Sequence, residues 1–156
     1  MGRKSTKKNK NIYQLLREEV GLTREQAEEA LEYISSDRIE KIEADKVIVR
    51  PDEVLTMANT YKKPELINYY CSHECPIGKK YVPPVNEKQL SQITLEILDK
   101  LNELEKIKEK LIEITVDGII SEDEINDFTT IKKELAELKN TIDSLTLWAE
   151  KQNINV

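Results

Sequence analysis

The chain has 156 residues, of which 35% are charged and 38% hydrophobic, with four glycines and a formal net charge of −6. This length suits one domain or two small ones, and the composition favours helices. No apolar run approaches the ~20 residues that span a bilayer, the first ten residues lack the apolar core of a secretory signal, and two cysteines cannot form a secreted disulfide framework, so we expect a cytoplasmic protein with no membrane partner.

Charge is divided unevenly along the chain. Residues 1–85 contain 15 Lys and Arg against 14 Asp and Glu, a net of +1, whereas residues 86–156 contain 9 against 16, a net of −7. We therefore expect the second half not to touch nucleic acid, because phosphates repel it. Residues 1–10 are predicted to form a basic flexible arm that either reaches DNA or only solubilises the chain. Its cations are Arg3, Lys4, Lys7, Lys8 and Lys10.

A short helix is predicted to begin after Thr23. The Thr23 hydroxyl can cap it, and Gln26, three residues on, completes a capping-box pattern. Ala27, Ala30 and Leu31 then share one face at helical spacing.

Two more short helices are predicted before residue 66. Ser35 or Ser36 can cap the first, which places Ile39 and Ile42 on one face. Arg50-Pro51 ends that element, and Asp52 can start the next helix. The apolar face predicted for the last helix consists of Val54, Leu55, Ala58 and Tyr61.

Together these helices resemble the helix-turn-helix domain of the Xre/lambda-repressor-like family of bacterial and phage regulators. The resemblance implies an all-α domain at residues 11–66 that binds double-stranded DNA as a transcriptional regulator and catalyses nothing. In the family a glycine usually stands in the turn before the helix that reads DNA, where this chain has Glu32 and Tyr33. The matching residues are Ile39, Ile42, Glu43, Pro51, Leu55 and Ala58.

The resemblance also implies which side chains contact DNA. Residues at the start of the earlier helix usually touch the phosphate backbone, and the outward residues of the next helix contact bases or phosphates. The first group is Thr23, Arg24 and Gln26, and the second is Ser35, Ser36, Asp37, Arg38 and Lys41. Two carboxylates, Asp37 and Glu40, oppose phosphate binding. The alternative hypothesis is therefore a protein-interaction module that keeps this fold without specific DNA binding.

Residues 67–86 are predicted to form a connector in which prolines and a glycine discourage regular structure. Its unusual feature is Cys71-Ser72-His73-Glu74-Cys75. The two thiols and the imidazole could supply part of a zinc site or a redox pair, or could serve only as small packing groups. Because a fourth metal ligand is missing, we favour the packing role and expect neither metal nor cofactor.

Residues 87–152 are predicted to form an antiparallel, coiled-coil-like helical hairpin. Two arms of about 27 residues each carry apolar residues at alternating spacings of three and four. The first arm has Leu90, Ile93, Ile97, Leu104, Ile107, Leu111 and Ile114, and the second has Phe128, Ile131, Leu135, Leu138, Ile142, Leu145 and Trp148. Because two helices rarely bury enough surface alone, we expect a homodimer through this hairpin.

The turn between the arms has two possible interpretations. Residues 113–124 resemble a degenerate calcium-binding loop, with Gly118 at the sixth position and Glu124 at the twelfth. A capped helix-helix turn explains the same residues more simply, and it is the reading we favour. No nucleophile–base–acid arrangement and no phosphate-binding loop is visible, so neither enzymatic activity nor a small-molecule substrate is expected.

Overall fold

The structure is a computed structural model that describes residues 9–154, and these residues form eight helices and no strand. The prediction of an all-α chain with a helical hairpin in its second half is confirmed. The chain divides into two compact units between residues 84 and 85. The helices are α1 (Ile12–Glu19), α2 (Arg24–Leu31), α3 (Ser36–Glu43), α4 (Pro51–Tyr61), α5 (Glu65–His73), α6 (Gly78–Tyr81), α7 (Leu90–Thr115) and α8 (Ile125–Lys151).

Side-chain caps explain where the first helices begin. The Asn11 side chain accepts a hydrogen bond from the Gln14 N–H at the start of α1. Thr23 and Gln26 form the predicted reciprocal capping box on α2. The Ser35 side chain caps α3. Each cap satisfies N–H groups that have no partner within the helix, so these helix starts follow from local sequence alone.

The core of the first unit draws on all of α1 to α5. Ala30 and Leu55 were predicted to lie on apolar helix faces, but both are exposed. Leu55 lies about 100° around α4 from buried Val54, and Met57 fills the core instead. The buried apolar residues are Tyr13, Leu16, Ala27, Leu31, Ile34, Ile39, Ile42, Val49, Val54, Met57, Ala58, Tyr61 and Leu66.

The prediction of an irregular connector at residues 67–86 is wrong over most of its length. Helix α5 runs to His73, and α6 follows at Gly78. Pro64 stands at the N-cap of α5, and Pro83 and Pro84 follow α6. Proline is tolerated at helix starts and after helix ends, so here the prolines bound the helices and do not break them.

Gly78 packs directly against the backbone of α5. A Cβ atom at Gly78 would lie 2.1 Å from the Cys71 carbonyl oxygen. The Gly78 N–H also donates to Cys75 Sγ at 3.4 Å. Glycine therefore allows α6 to lie closely against α5, because any side chain at this position would collide with main-chain atoms.

In the second unit, α7 and α8 pack against each other as the predicted hairpin. Ile93, Ile114 and Ile131 are buried in the seam between them. On α8 the seam differs from the prediction, because Glu134 and buried Thr141 face it while Leu135 and Ile142 are exposed. Leu147, near the C-terminal end of α8, is buried as well.

The turn of the hairpin is built from local carboxylate contacts. The Ile119 N–H donates to Asp117 Oδ1 at 3.0 Å. Ser121 donates to Glu124 Oε2 through its N–H at 2.9 Å and through its hydroxyl at 2.5 Å. These contacts make a helix-helix turn, and α8 begins directly after Glu124.

None of the helices within residues 9–154 is long and apolar enough to cross a membrane.

We expect Gly78→Ala to lower the free energy of unfolding by about 1–3 kcal/mol, because the new methyl group must push α6 away from α5. Urea denaturation followed by circular dichroism measures this. Gly21→Ala is the control, because a Cβ at Gly21 meets nothing within 4 Å and tests only the cost of its φ of +79°. A smaller loss at Gly78 than at Gly21 would contradict the packing role.

Candidate nucleic-acid interface

Helices α2 and α3 are joined by a tight turn at residues 32–35. The Tyr33 N–H donates to the Leu31 carbonyl oxygen at 2.7 Å around Glu32, whose φ of 61° and ψ of −49° are those of a strained γ-turn. Glu28 on α2 accepts the Ser36 N–H at the start of α3, at 3.1 Å. The turn and this carboxylate fix how α3 follows α2.

A buried ion network joins α3 to α1 and α2. Arg17 on α1 donates from Nε and Nη2 to the two Glu43 carboxylate oxygens, at 2.5 and 3.0 Å. Arg24 on α2 donates from Nε to Glu43 Oε2 at 2.9 Å. Burial lowers the pKa of the Arg17 guanidinium, but hydrogen bonding and attraction to Glu43 more than offset it, so this pKa lies above its usual value. The Glu43 carboxylate therefore binds the C-terminal end of α3 to both preceding helices.

A second ion network joins the start of α3 to α4. Arg38 donates from Nε and Nη2 to the Glu53 carboxylate, both at 2.8 Å, and Nη2 also donates to the Ile48 carbonyl oxygen at 2.9 Å. The Arg50 N–H donates to Glu53 Oε2 at 2.9 Å. Burial raises the pKa of Glu53, but the hydrogen bonds from Arg38 and Arg50 outweigh it and hold that pKa below its usual range.

The side chains on the exposed face of α3 are Asp37, Glu40 and Lys41. Lys41 Nζ pairs with Asp37 Oδ2 at 2.6 Å across one helical turn. Arg24 Nη1 lies 3.7 Å from Glu40 Oε2. Half-buried Ser36 lies beside this face at the start of α3. The formal charge of this face is −1, so the face as it stands is not a phosphate-attracting surface.

The structure thus divides the predicted DNA-contacting residues into groups. The outward orientation predicted for Arg38 is wrong, because its guanidinium is bound by the buried Glu53 carboxylate. Thr23 and Gln26 use their side chains to cap α2, and Ser35 uses its hydroxyl to cap α3. The Arg24 guanidinium binds the Glu43 carboxylate. The remaining predicted residues, which lie at the exposed face of α3, are Ser36, Asp37 and Lys41.

Sequence reasoning missed the acidic partners in these networks. Glu28, Glu43 and Glu53 each hold α3 in place, although Glu43 was part of the matching motif and Glu53 follows Pro51 by two residues. A glutamate at an otherwise apolar helical position is the signal that could have found Glu43. Nothing in the sequence identified its partner as Arg17, 26 residues earlier.

The predicted basic arm lies outside the described residues over positions 1–8. Lys10 is described, and its Nζ pairs with Glu18 Oε2 at 2.6 Å beside α1. Next to it, Asn11 Nδ2 donates to the Ile42 carbonyl oxygen at 2.8 Å and to Asp45 Oδ1 at 2.9 Å. The chain leading into α1 is therefore held against the C-terminal end of α3.

Cys71 and Cys75 are half-buried beside α6 and are not joined in a disulfide. The exposed His73 ring stacks on Tyr69 with centroids 4.6 Å apart. Within residues 9–154, no three His, Cys, Asp or Glu side chains are grouped so that they could hold a metal ion. The Tyr13 hydroxyl donates to Glu74 Oε2 at 2.9 Å, which links this segment to α1.

Residues 14–65 match a family model described as a helix-turn-helix domain. Searches of curated proteins and of solved structures find no significant match. The matched segment starts in α1 and ends at the first residue of α5, so it contains both ion networks and the α2–turn–α3 unit.

We expect Glu32→Gly to raise the free energy of unfolding by about 0.5–2 kcal/mol. Strain at a positive φ in a γ-turn costs about 1–3 kcal/mol, and the extra chain entropy of glycine cancels only part of the gain. Glu32→Ala is the matched control, because it removes the carboxylate but keeps the Cβ atom. Equal stabilities of the two variants would show that Glu32 is not strained.

We expect the Arg38–Glu53 pair to stabilise the fold in a pH-dependent way. Because the pKa of Glu53 is lower in the folded chain than the ordinary unfolded value of ~4.3, the stabilisation is complete above that pH. It is lost as the pH falls through the lowered folded value.

Glu53→Gln should therefore cost about 1.5–3 kcal/mol at pH 7 and progressively less as the pH falls below ~4. Urea denaturation of both proteins between pH 3 and 7 measures the difference. Asp37→Asn is the control, because it breaks an exposed pair and should change stability by at most ~1 kcal/mol. A pH-independent cost of Glu53→Gln would contradict the assignment.

Proposed function

We propose that this protein is a DNA-binding transcriptional regulator of the Xre/lambda-repressor-like kind, which reads operator DNA as a dimer. The observation that carries the proposal is the match of residues 14–65 to a helix-turn-helix domain, in which α3 is held rigidly and keeps one face open. In this motif the second helix of the pair lies in the major groove and the first crosses the backbone. Helix α3 is the recognition helix in this proposal.

Residues on α2 and α3 have different roles in this proposal. Ser36, Asp37 and Lys41 contact DNA directly, because their side chains lie on the open face. Releasing Lys41 from exposed Asp37 costs at most ~1 kcal/mol, so Lys41 can turn to a phosphate. Asp37 can accept a hydrogen bond from the amino group of cytosine in the major groove.

Arg38 and Arg24 act as positioning residues in this proposal. Arg38 holds α3 against α4 through Glu53, and Arg24 holds it against α2 through Glu43. Thr23, Gln26 and Ser35 shape the helix starts through the side-chain caps that they form. Loss of a positioning residue should therefore weaken DNA binding by loosening α3.

The hairpin joins two copies in this proposal. One recognition helix reads one half-site, and two copies place two such helices about one DNA turn apart. The hairpin itself is repelled by DNA, because residues 86–156 carry a net charge of −7.

The alternative is a protein-interaction module that retains this fold. The observation that favours it is the open face of α3, where Asp37 and Glu40 outnumber Lys41. Titration of a fluorescent random duplex at increasing salt separates the two functions. A DNA binder loses affinity linearly on logarithmic axes as salt rises, because phosphate contacts release counterions. At ~25 mM salt, charges are only weakly screened, so a DNA binder should bind. Absence of binding under this condition would favour the interaction module.

We predict that Lys41→Ala lowers the salt dependence of DNA binding by about one counterion and leaves the free energy of unfolding within ~0.5 kcal/mol. Arg38→Ala should instead lower both stability and DNA affinity. Fluorescence anisotropy and urea denaturation of both variants measure these effects. Lys62→Ala, on the exposed C-cap of α4, is the matched lysine control. An unchanged salt slope in Lys41→Ala would remove α3 from the interface.

A further inference from the structure

The hairpin has two unlike sides along its seam. On one side, ion pairs link the helices: Lys100 Nζ lies 3.0 Å from Glu134 and 2.6 Å from Glu137, and Lys110 Nζ lies 2.7 Å from Asp127. These side chains are the only charged links across the seam that the described middle of the hairpin shows. On this side, here called the ion-paired side, the charged groups just named already have partners within one chain.

The residues that follow these seam positions are apolar. Leu101 follows Lys100, Leu135 follows Glu134, and Ile142 follows buried Thr141. Each step in sequence turns about 100° around a helix, so these three side chains lie on the other side of the seam from the ion pairs.

They also lie on a common side of the hairpin. Two antiparallel helices are related by a twofold axis perpendicular to the plane that contains both, and that rotation keeps each side of the pair in place. A residue that follows the seam on α7 therefore lies on the same side as a residue that follows it on α8. Leu90 and Leu98 extend the set on α7, and all five side chains are between 40% and 53% exposed. The apolar side consists of Leu90, Leu98, Leu101, Leu135 and Ile142.

We propose that this apolar side is the surface through which two copies of the chain associate, as a symmetric four-helix assembly with the ion-paired sides facing solvent. The inference rests on the proposed dimer and specifies which surface forms it. Five half-exposed aliphatic side chains on one side are an uncovered core stripe, since helices of a bundle bury such residues against two neighbours.

The size of this side suits a second copy. Helices of 26 and 27 residues are ~40 Å long, and two of them packed ~10 Å apart present a side of roughly 800 Å². A standard stable interface buries about 800 Å² on each partner. A single chain can therefore supply one complete half of a twofold interface from this side alone.

Charges near the apolar side do not oppose self-association. Lys108 pairs with Glu105 at 3.4 Å, and Lys139 pairs with Asp143 at 2.9 Å. Each pair is neutral and lies within one helix. Two copies brought face to face therefore meet compensated charges around an apolar centre, and not a single sign of charge.

The test compares two double variants of the full chain by light scattering. Leu101→Lys with Leu135→Lys places charges at the centre of the apolar side and should convert the dimer to a monomer. Leu95→Lys with Ala136→Lys is the matched control, because both residues are exposed and lie on the outward side of their helices. The control should stay dimeric, and circular dichroism should show the same helix content for all three proteins.

A second measurement covers the case in which the first double variant unfolds. Leucine methyl groups of the native chain are titrated with a paramagnetic cosolvent at low and high protein concentration. Leu101 and Leu135 should become protected as the concentration rises, whereas Leu95 should not. A monomeric native chain, a dimeric Leu101→Lys/Leu135→Lys variant, or equal methyl protection of Leu95 would overturn the proposal.

DNA binding distinguishes this failure from a failure of the proposed function. If the apolar side is the interface, the monomeric variant should still bind random duplex DNA, with about half the salt slope of the dimer. A chain that dimerises through this side but binds no DNA would support the interface and reject the regulator. If the native chain binds DNA but the Leu101→Lys/Leu135→Lys variant remains dimeric, the regulator is supported and the apolar side is rejected as the interface.

Discussion

The arrangement of the helix-turn-helix domain depends on one buried carboxylate. Glu43 at the end of α3 is almost fully buried and receives hydrogen bonds from Arg17 and Arg24 on two different helices. A buried charge is tolerated only when it is paired and hydrogen-bonded, and removing one member of such a pair typically costs about 3–5 kcal/mol. Since the pairing geometry is satisfied by one arrangement of α1, α2 and α3, Glu43 favours that arrangement over other packings of the same apolar faces.

The second ion network fixes the opposite end of α3 in the same way, through a buried carboxylate. Glu53 fixes the start of the helix through Arg38 and Arg50, while Glu28 accepts the Ser36 N–H. Helix α3 is thus held at both ends by charged contacts and along its middle by Ile39 and Ile42. A helix of eight residues is marginal by itself, so its rigidity comes from these contacts. The cost is that most cations near α3 are occupied within the domain.

That cost explains why the open face of α3 is slightly acidic in a domain that matches a helix-turn-helix family model. Arg38 is held by the buried Glu53 carboxylate, and Arg24 is divided between buried Glu43 and exposed Glu40, so neither guanidinium is left free on the open face. Recognition by this face would therefore depend on specific hydrogen bonds more than on attraction to phosphates. The hairpin shows a comparable division, because the ion pairs that link its two helices lie on one side of the seam and the five half-exposed aliphatic side chains lie on the other.

The sequence by itself determined the local features of this protein. The capping residues Thr23 and Ser35, the faces of Ile39 and Ile42, and the two long arms of the hairpin were all predictable, because each depends on residues three or four apart. Only the tertiary structure decided that Arg38 faces Glu53, that Arg17 reaches Glu43, and that Leu135 and Ile142 lie outside the seam. These outcomes depend on how separate helices meet, and a helical repeat specifies which residues share a face without specifying which partner that face will find.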